Sequence, residues 1–424
     1  MDKNLDWLKL DNAAKIYPAT SSRKSPAQFR LAVTLNSPVK LKILQQAWER
    51  MLKRCPYFQV YLRRGFFWYY LQRHQDIPPI ELMELIPTPT FHMNHKFSHL
   101  IRISARESTI ALDFSHIITD GNGGMRFLIG LIYEYLRLDG AHINKIETIP
   151  YPDDEPSADE FEDGHRKFFP GNLPKPDALP KAYHISDKPF THKDFKLISG
   201  KIQLDDILKI SRQNQVSTTE YLSAVYMFSL MQIYKQENRE KNPKNTIIRL
   251  EVPVNMRKFH PSGTMRNFSL YVSPEIDLKL GDFTFEEILK KVHHSMQIQI
   301  DSKELGRQTS RNVGGELNLI VRIIPLFVKD IYLSNLYRRL GENCYSGVLS
   351  NLGSISIPDA AKPFIKSFDC ILVPNHGMKK SCVVLSFQNE LTINFSSVVE
   401  STELERLFFT KLVEDGISVS VKEI

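Results

Sequence analysis

Cysteine is scarce in this chain. There are four in 424 residues, Cys55, Cys344, Cys370 and Cys382, and no two are spaced as Cys-x-x-Cys. That is not the pattern of a disulfide scaffold, so structural thiols in a reducing compartment are expected. No stretch reaches the apolar length of a transmembrane helix. The opening Met1-Asp2-Lys3-Asn4-Leu5-Asp6-Trp7 has no apolar core long enough for a signal peptide, and a cytoplasmic location is expected. A block of one charge is also missing. The net charge of +7 comes from 55 Lys and Arg against 48 Asp and Glu, spread along the chain. Nucleic acid is therefore not an expected partner, and the small basic excess suits an anionic small ligand or plain solubility. Neither Gly-x-Gly-x-x-Gly nor a Walker lysine occurs, and residue identities support no internal repeat or low-complexity tract. His92-x-x-His95-x-x-x-His99 has no carboxylate or cysteine beside it, so no metal is expected.

What is present is ordinary globular material, 42% hydrophobic and 24% charged. The length exceeds what one core usually holds, which points to two subdomains. Phe29, Leu31, Val33 and Leu35 alternate as a strand, and Leu41 to Arg54 carries helical spacing that stops before Cys55-Pro56. Arg64-Gly65 marks a hairpin between Tyr57–Arg63 and Phe66–Gln72, and His99–Ala105 with Ser108–Phe114 forms a second antiparallel pair. Prolines recur from Ile149 to Pro189, which reads as an extended crossover. The expected division is residues 1–165, a linker at 166–190, and residues 191–424. In the second half, Ser217-x-x-Glu220 and Thr402-x-x-Glu405 are capping boxes that open helices. Ile247–Val254, Phe268–Ile276, Phe364–Val373, Cys382–Phe387 and Leu391–Ser396 read as strands, and Phe285–Ile300 as a helix. Leu317 to Leu340 is apolar and helical, split by Pro325, with Arg322, Lys329, Arg338 and Arg339 scattered through it. A core or lid helix is the expectation there, in preference to a membrane-surface one.

The most informative segment is Ser115-His116-Ile117-Ile118-Thr119-Asp120-Gly121. It follows the alternating strand Ser108–Phe114 and precedes a helical stripe of Met125, Leu128, Ile129, Ile132 and Leu136. A histidine where a strand ends and a glycine turn begins is fixed by rigid elements yet exposed at an edge. General-base catalysis needs that combination.

His116-x-x-x-Asp120-Gly121 on such a turn resembles the signature of the chloramphenicol-acetyltransferase-like superfamily, which includes coenzyme A-dependent acyltransferases, alcohol acetyltransferases and condensation domains. Several members begin the motif with two histidines; here the first position is Ser115. Val252-Pro253-Val254-Asn255-Met256-Arg257 and Arg266-Asn267-Phe268 resemble the family's arginine-bearing strand and the segment after it. Ser346 to Gly353 is similar to its later strand on the acceptor side. The Asp-Phe-Gly-Trp-Gly motif of the plant branch is absent. The resemblance implies an α/β fold of two similar subdomains with mixed sheets around a central tunnel. It also implies acyl transfer, such as acetyl, from coenzyme A to a small alcohol or amine by direct attack in a ternary complex. His116 would be the general base, Asp120 would pair with Arg257, and Gly121 would take a backbone conformation that side chains resist. Asn267, Ser350 and Asn351 would line the acceptor side. A free-standing condensation protein with a carrier-bound donor, and a non-catalytic ligand-binding relative, are the alternatives.

Overall fold

The computed structural model describes residues 6–87, 91, 98–191, 195–237 and 245–424. Among them, strands form three sheets. The first large sheet runs in the order Ile365–Leu372, Gln28–Leu35, Thr109–Ser115, Ile101–Arg106, Ile80–Leu82. Its pairings are antiparallel except the last. The second runs Ser269–Val272, Ile247–Asn255, Gly347–Ser354, Lys380–Phe387, Glu390–Ser397, Lys196–Gln203, Ser420–Glu423, and Glu275–Asp277 also pairs with Ile247–Asn255. Gly347–Ser354 is parallel to both its neighbours. A small antiparallel sheet joins Trp7–Lys9, Tyr69–Arg73 and Val60–Arg64. The fold is α/β with mixed sheets.

Each large sheet is covered by helices because its strands carry apolar side chains on the covered face. Phe29, Leu31 and Val33 meet Leu44, Trp48 and Leu128 of the helices Leu41–Arg54 and Gly121–Leu138 in one core. The other face of the same strand buries Arg30, which forks onto Asp113 at 2.7 and 2.9 Å. A bidentate pair of this kind satisfies two charges that would otherwise be costly to bury. A second core gathers Ile248, Leu250, Val252, Ile393 and Phe395 under the helices Thr218–Glu237 and Glu403–Glu414.

The sheets do not divide where the chain does. Ile365–Leu372 comes from the second half but forms the edge of the first sheet, paired from Leu35↔Ile365 to Phe29↔Leu372 with one register shift between Ile365 and Ser367. Val383, Leu385 and Phe387 also belong to the first core. The 191–424 segment thus completes both cores.

Several elements differ from the sequence reading. Phe268–Ile276 is two short strands, because Ser273-Pro274 interrupts the ladder on Ile247–Asn255. Ser217 and Glu220 do form a reciprocal box, at 2.6 and 3.2 Å. Thr402 makes no side-chain cap; Glu405 is buried against Lys380 at 2.5 Å instead. The apolar run after Leu317 is not core. In the helices Leu319–Ile323 and Leu326–Leu340, the side chains of Leu319, Ile320, Ile323, Phe327, Ile331 and Tyr332 are between 61% and 75% exposed. Leu326 and Lys329 are the buried members, and Lys329 Nζ donates to Phe67 O at 2.9 Å. Among the described residues, no helix is long and apolar enough to cross a membrane.

Candidate active site

His116 sits one residue beyond the strand Thr109–Ser115 and five before the helix Gly121–Leu138. Its backbone is held on both sides: the N–H donates to Ala27 O at 2.8 Å, and the carbonyl accepts from Asn267 Nδ2 at 2.9 Å. The ring stacks on Tyr17 at 5.4 Å between centroids and leans on Phe29 at 4.7 Å. It is half-buried. Burial pushes the imidazole down to about 4, against the upward pull of the Asp120 carboxylate, the Thr119 backbone and the Asn267 side chain. The ring is therefore neutral through the physiological range.

Asp120 is the N-cap of the helix. Its Oδ1 accepts from Gly123 N at 2.9 Å, and its Oδ2 from Phe268 N at 2.8 Å and Arg257 Nη1 at 2.9 Å. Burial alone would raise this carboxyl. The Arg257 guanidinium and the two backbone N–H groups outweigh it and hold the group below its ordinary value. Arg257 in turn donates to Thr264 O at 2.9 Å, Arg266 O at 2.6 Å and Asn255 Oδ1 at 3.2 Å. The pair ties the His116 turn to the second sheet's outer edge.

Glycine is needed in this turn for space, not for backbone conformation. Gly121 is absent from the residues with positive φ, which corrects the expected role. A Cβ there would stand 2.7 Å from Leu352 Cδ2, and at Gly123 it would stand 2.0 Å from Met265 O. Thr119 Oγ1 donates to the same Met265 carbonyl at 2.5 Å. The second half of the chain thus presses directly on the helix start.

The other candidates fall in two groups. Asn267 is buried, with its amide shared between His116 O and Asp11 Oδ2 at 3.1 Å, so it fixes the loop from behind. Asn351 donates to Thr219 Oγ1 at 2.9 Å and accepts from Gly353 N at 2.8 Å, which shapes the end of its own strand. Ser350 is half-buried on the strand Gly347–Ser354, opposite Val383. Asp11 and Tyr17, absent from the sequence reading, reach the loop from the N-terminal segment. No local pattern marks them; only the fold brings them there.

Among the described residues no group of three or more His, Cys, Asp or Glu could hold a metal ion, and His92 and His95 lie outside those residues. All four cysteines are free and buried, and burial pushes the Cys55 thiol up to about 12. They are poor nucleophiles. A cavity of about 630 Å³ lies among Asp6, Glu49, Lys53, Arg73 and His74. Its lining does not include His116.

No family model matches the sequence, and no curated protein is similar to it. Solved structures are similar over nearly the whole chain. F. sporotrichioides TRI101, complexed with coenzyme A and T-2, superposes with a TM-score of 0.65 at 9% identity, over 97% of this chain and 99% of that one. Polyketide synthase associated protein 5 from Mycobacterium tuberculosis gives 0.61 at 12% identity, over 96% and 98%. A variant of the starter condensation domain of rhizomide synthetase RzmA, in complex with C8-CoA, gives 0.60 at 10% identity, over 98% of each chain. With two helix-covered mixed sheets meeting at the His116 turn, the chain has the chloramphenicol-acetyltransferase-like fold of acetyltransferases and condensation domains.

Proposed function

We propose that this chain transfers an acyl group from the thioester of coenzyme A to a hydroxyl or amine of a small acceptor, with His116 as general base. The observation that carries the reading is a neutral, half-buried imidazole, pinned at its backbone on both sides of a strand-to-helix turn. The fold adds support, since solved proteins that share it include a trichothecene 15-O-acetyltransferase, TRI101 complexed with coenzyme A and a condensation domain in complex with C8-CoA.

In this reading the acceptor oxygen or nitrogen attacks the thioester carbonyl while His116 takes its proton. As the tetrahedral centre collapses, the carbon–sulfur bond breaks and the imidazolium returns that proton to the departing sulfur. No acyl-enzyme forms. Asp120 is a positioning residue: its oxygens are occupied by Arg257 and two backbone N–H groups, so it holds the turn and relays no charge. Asn267 fixes the histidine's carbonyl, and Ser350 belongs to the acceptor side.

The test is release of free thiol from acetyl-coenzyme A in the presence of pooled alcohols and amines. His116→Ala is expected to lose about 10²–10⁴-fold in rate at an unchanged melting temperature. Undiminished turnover in that variant overturns the proposal. Turnover with a carrier-bound thioester but not with acyl-coenzyme A replaces it by the condensation reading.

A further inference from the structure

The helix Leu326–Leu340 has two unlike sides. At about 100° per residue, Leu326, Lys329, Asp330 and Leu333 share one side, which turns to Leu10, Trp68 and Tyr69. Phe327, Val328, Ile331 and Tyr332 lie on the opposite side and are exposed, followed there by Asn335, Arg338 and Arg339. The preceding helix, Leu319–Ile323, exposes Leu319, Ile320 and Ile323. The turn of the hairpin between Val60–Arg64 and Tyr69–Arg73 adds Phe66, 71% exposed, and Phe67, 42% exposed. Its attachment is direct: Leu326 N donates to Phe66 O at 2.9 Å, and Lys329 Nζ stands 3.7 Å from the centre of the Trp68 ring. Two segments far apart in sequence thus adjoin in one apolar patch. A patch of this kind on a folded chain marks a contact surface.

The charge around it has one sign. Residues 60–73 and 317–341 together hold seven Lys and Arg and a single acid, Asp330. Asp330 is already engaged, by Arg64 at 3.4 Å and by the Tyr69 hydroxyl at 3.0 Å. Arg322, Arg338 and Arg339 are exposed and, among the described residues, belong to no ion pair. That charge selects the occupant. A second copy seated on this face by two-fold symmetry would set arginines against arginines with no free acid between them. The outer face of a helix and the tip of a hairpin are ridges, whereas a docking peptide helix lies in a groove. An anionic bilayer suits both parts of the patch, offering a hydrocarbon boundary to the apolar side chains and phosphates to the guanidiniums.

We propose that this patch seats the protein on the surface of a bilayer that contains anionic phospholipid. Phe66, Phe327 and Ile331 enter the boundary between headgroups and acyl chains, and Arg338 and Arg339 meet lipid phosphates. The chain lies on the membrane and does not cross it. The helix Leu326–Leu340 also packs on the short helix Tyr17–Thr20, whose Tyr17 stacks on His116, so the bilayer contact is one helix removed from the His116 turn. The proposal does not depend on acyl transfer.

Co-sedimentation of the full chain with extruded vesicles tests it, with no acyl donor present. The wild type is expected to bind vesicles of phosphatidylcholine and phosphatidylglycerol in equal parts, and to bind pure phosphatidylcholine about tenfold more weakly or worse. Raising the salt to about 0.5 M should weaken the anionic binding in the same sense. A variant with Arg338→Glu and Arg339→Glu should lose about tenfold or more, and one with Phe327→Ser and Ile331→Ser a similar factor. All four side chains are exposed, so melting curves should match the wild type; if one variant fails to fold, the other keeps the test decisive. Equal binding of wild type and variants, or equal binding to neutral and anionic vesicles, overturns the proposal. So does a wild type that ignores vesicles. A concentration-dependent dimer in sedimentation velocity, abolished by Ile331→Ser and unaccompanied by vesicle binding, would give the face to a second copy instead.

Discussion

The proposal for His116 has a measurable consequence in pH. An ordinary imidazole would lose its base form below its reference value of 6.5, whereas burial takes this one to about 4. The kcat/KM profile should therefore stay flat from pH 8 down to about 5, because the free enzyme's base remains unprotonated. An acidic limb near the ordinary histidine value would mean that burial does not depress this ring. The same shift has a stability sign. Between about 4 and 6.5 the unfolded chain binds a proton that the folded chain does not. This histidine's contribution is thus full above that window and is lost as pH falls through it. Asp120 acts lower: its native carboxyl is held below the ordinary value of 3.8, so its contribution is full above that value, erodes as pH falls below it and is gone once pH passes the depressed native one. His116 was legible from sequence because its motif is local. Asn267 was named only as an acceptor-side residue, because its contacts with the His116 carbonyl and Asp11 span 151 and 256 residues.

The start of the Gly121–Leu138 helix is where the halves of the chain press hardest. Gly123→Ala would set a methyl 2.0 Å from Met265 O, a backbone atom that cannot swing aside. Overpacking of this kind costs about 1–3 kcal/mol, so the denaturant midpoint should fall. Turnover should fall with it, because the helix start carries Asp120 and the turn. A variant with wild-type midpoint and rate would mean that this contact is loose. Elements with strong internal periodicity were readable, among them Leu41–Arg54, Phe285–Gln299 and the paired strands Lys380–Phe387 and Glu390–Ser397. The helix Ser302–Leu317 was not, since it buries only Leu305, Thr309, Ser310 and Val313 and contains three glycines. Lys196–Gln203 was missed for a related reason. Gly200 interrupts its pattern, and the ring of Phe409 fills the space that glycine leaves. In the Leu319–Leu340 region the sequence reading expected a core or lid helix, and the fold leaves most of its large apolar side chains outside, which rules out the core half of that expectation.

At the level of the whole molecule, neither half should be self-sufficient. Residues 1–190 alone lack the edge strand Ile365–Leu372, the Arg257 partner of Asp120 and the Asn267 support of His116. Expressed separately, this fragment is expected to aggregate or to lack near-ultraviolet circular dichroism, and co-expression with residues 191–424 should restore both signals. A soluble fragment 1–190 that unfolds cooperatively would count against this. The two-subdomain expectation came from length and a proline-rich crossover, neither of which shows that a late strand returns to an early sheet. That return also sets an order of events during synthesis. Gln28–Leu35 leaves the ribosome early and must wait for Ile365–Leu372, a delay on the order of tens of seconds at ordinary elongation rates. Until that strand emerges the nascent chain carries an open ladder, and until Arg257 and Asn267 emerge an unclamped His116 turn, a client for chaperones in the meantime.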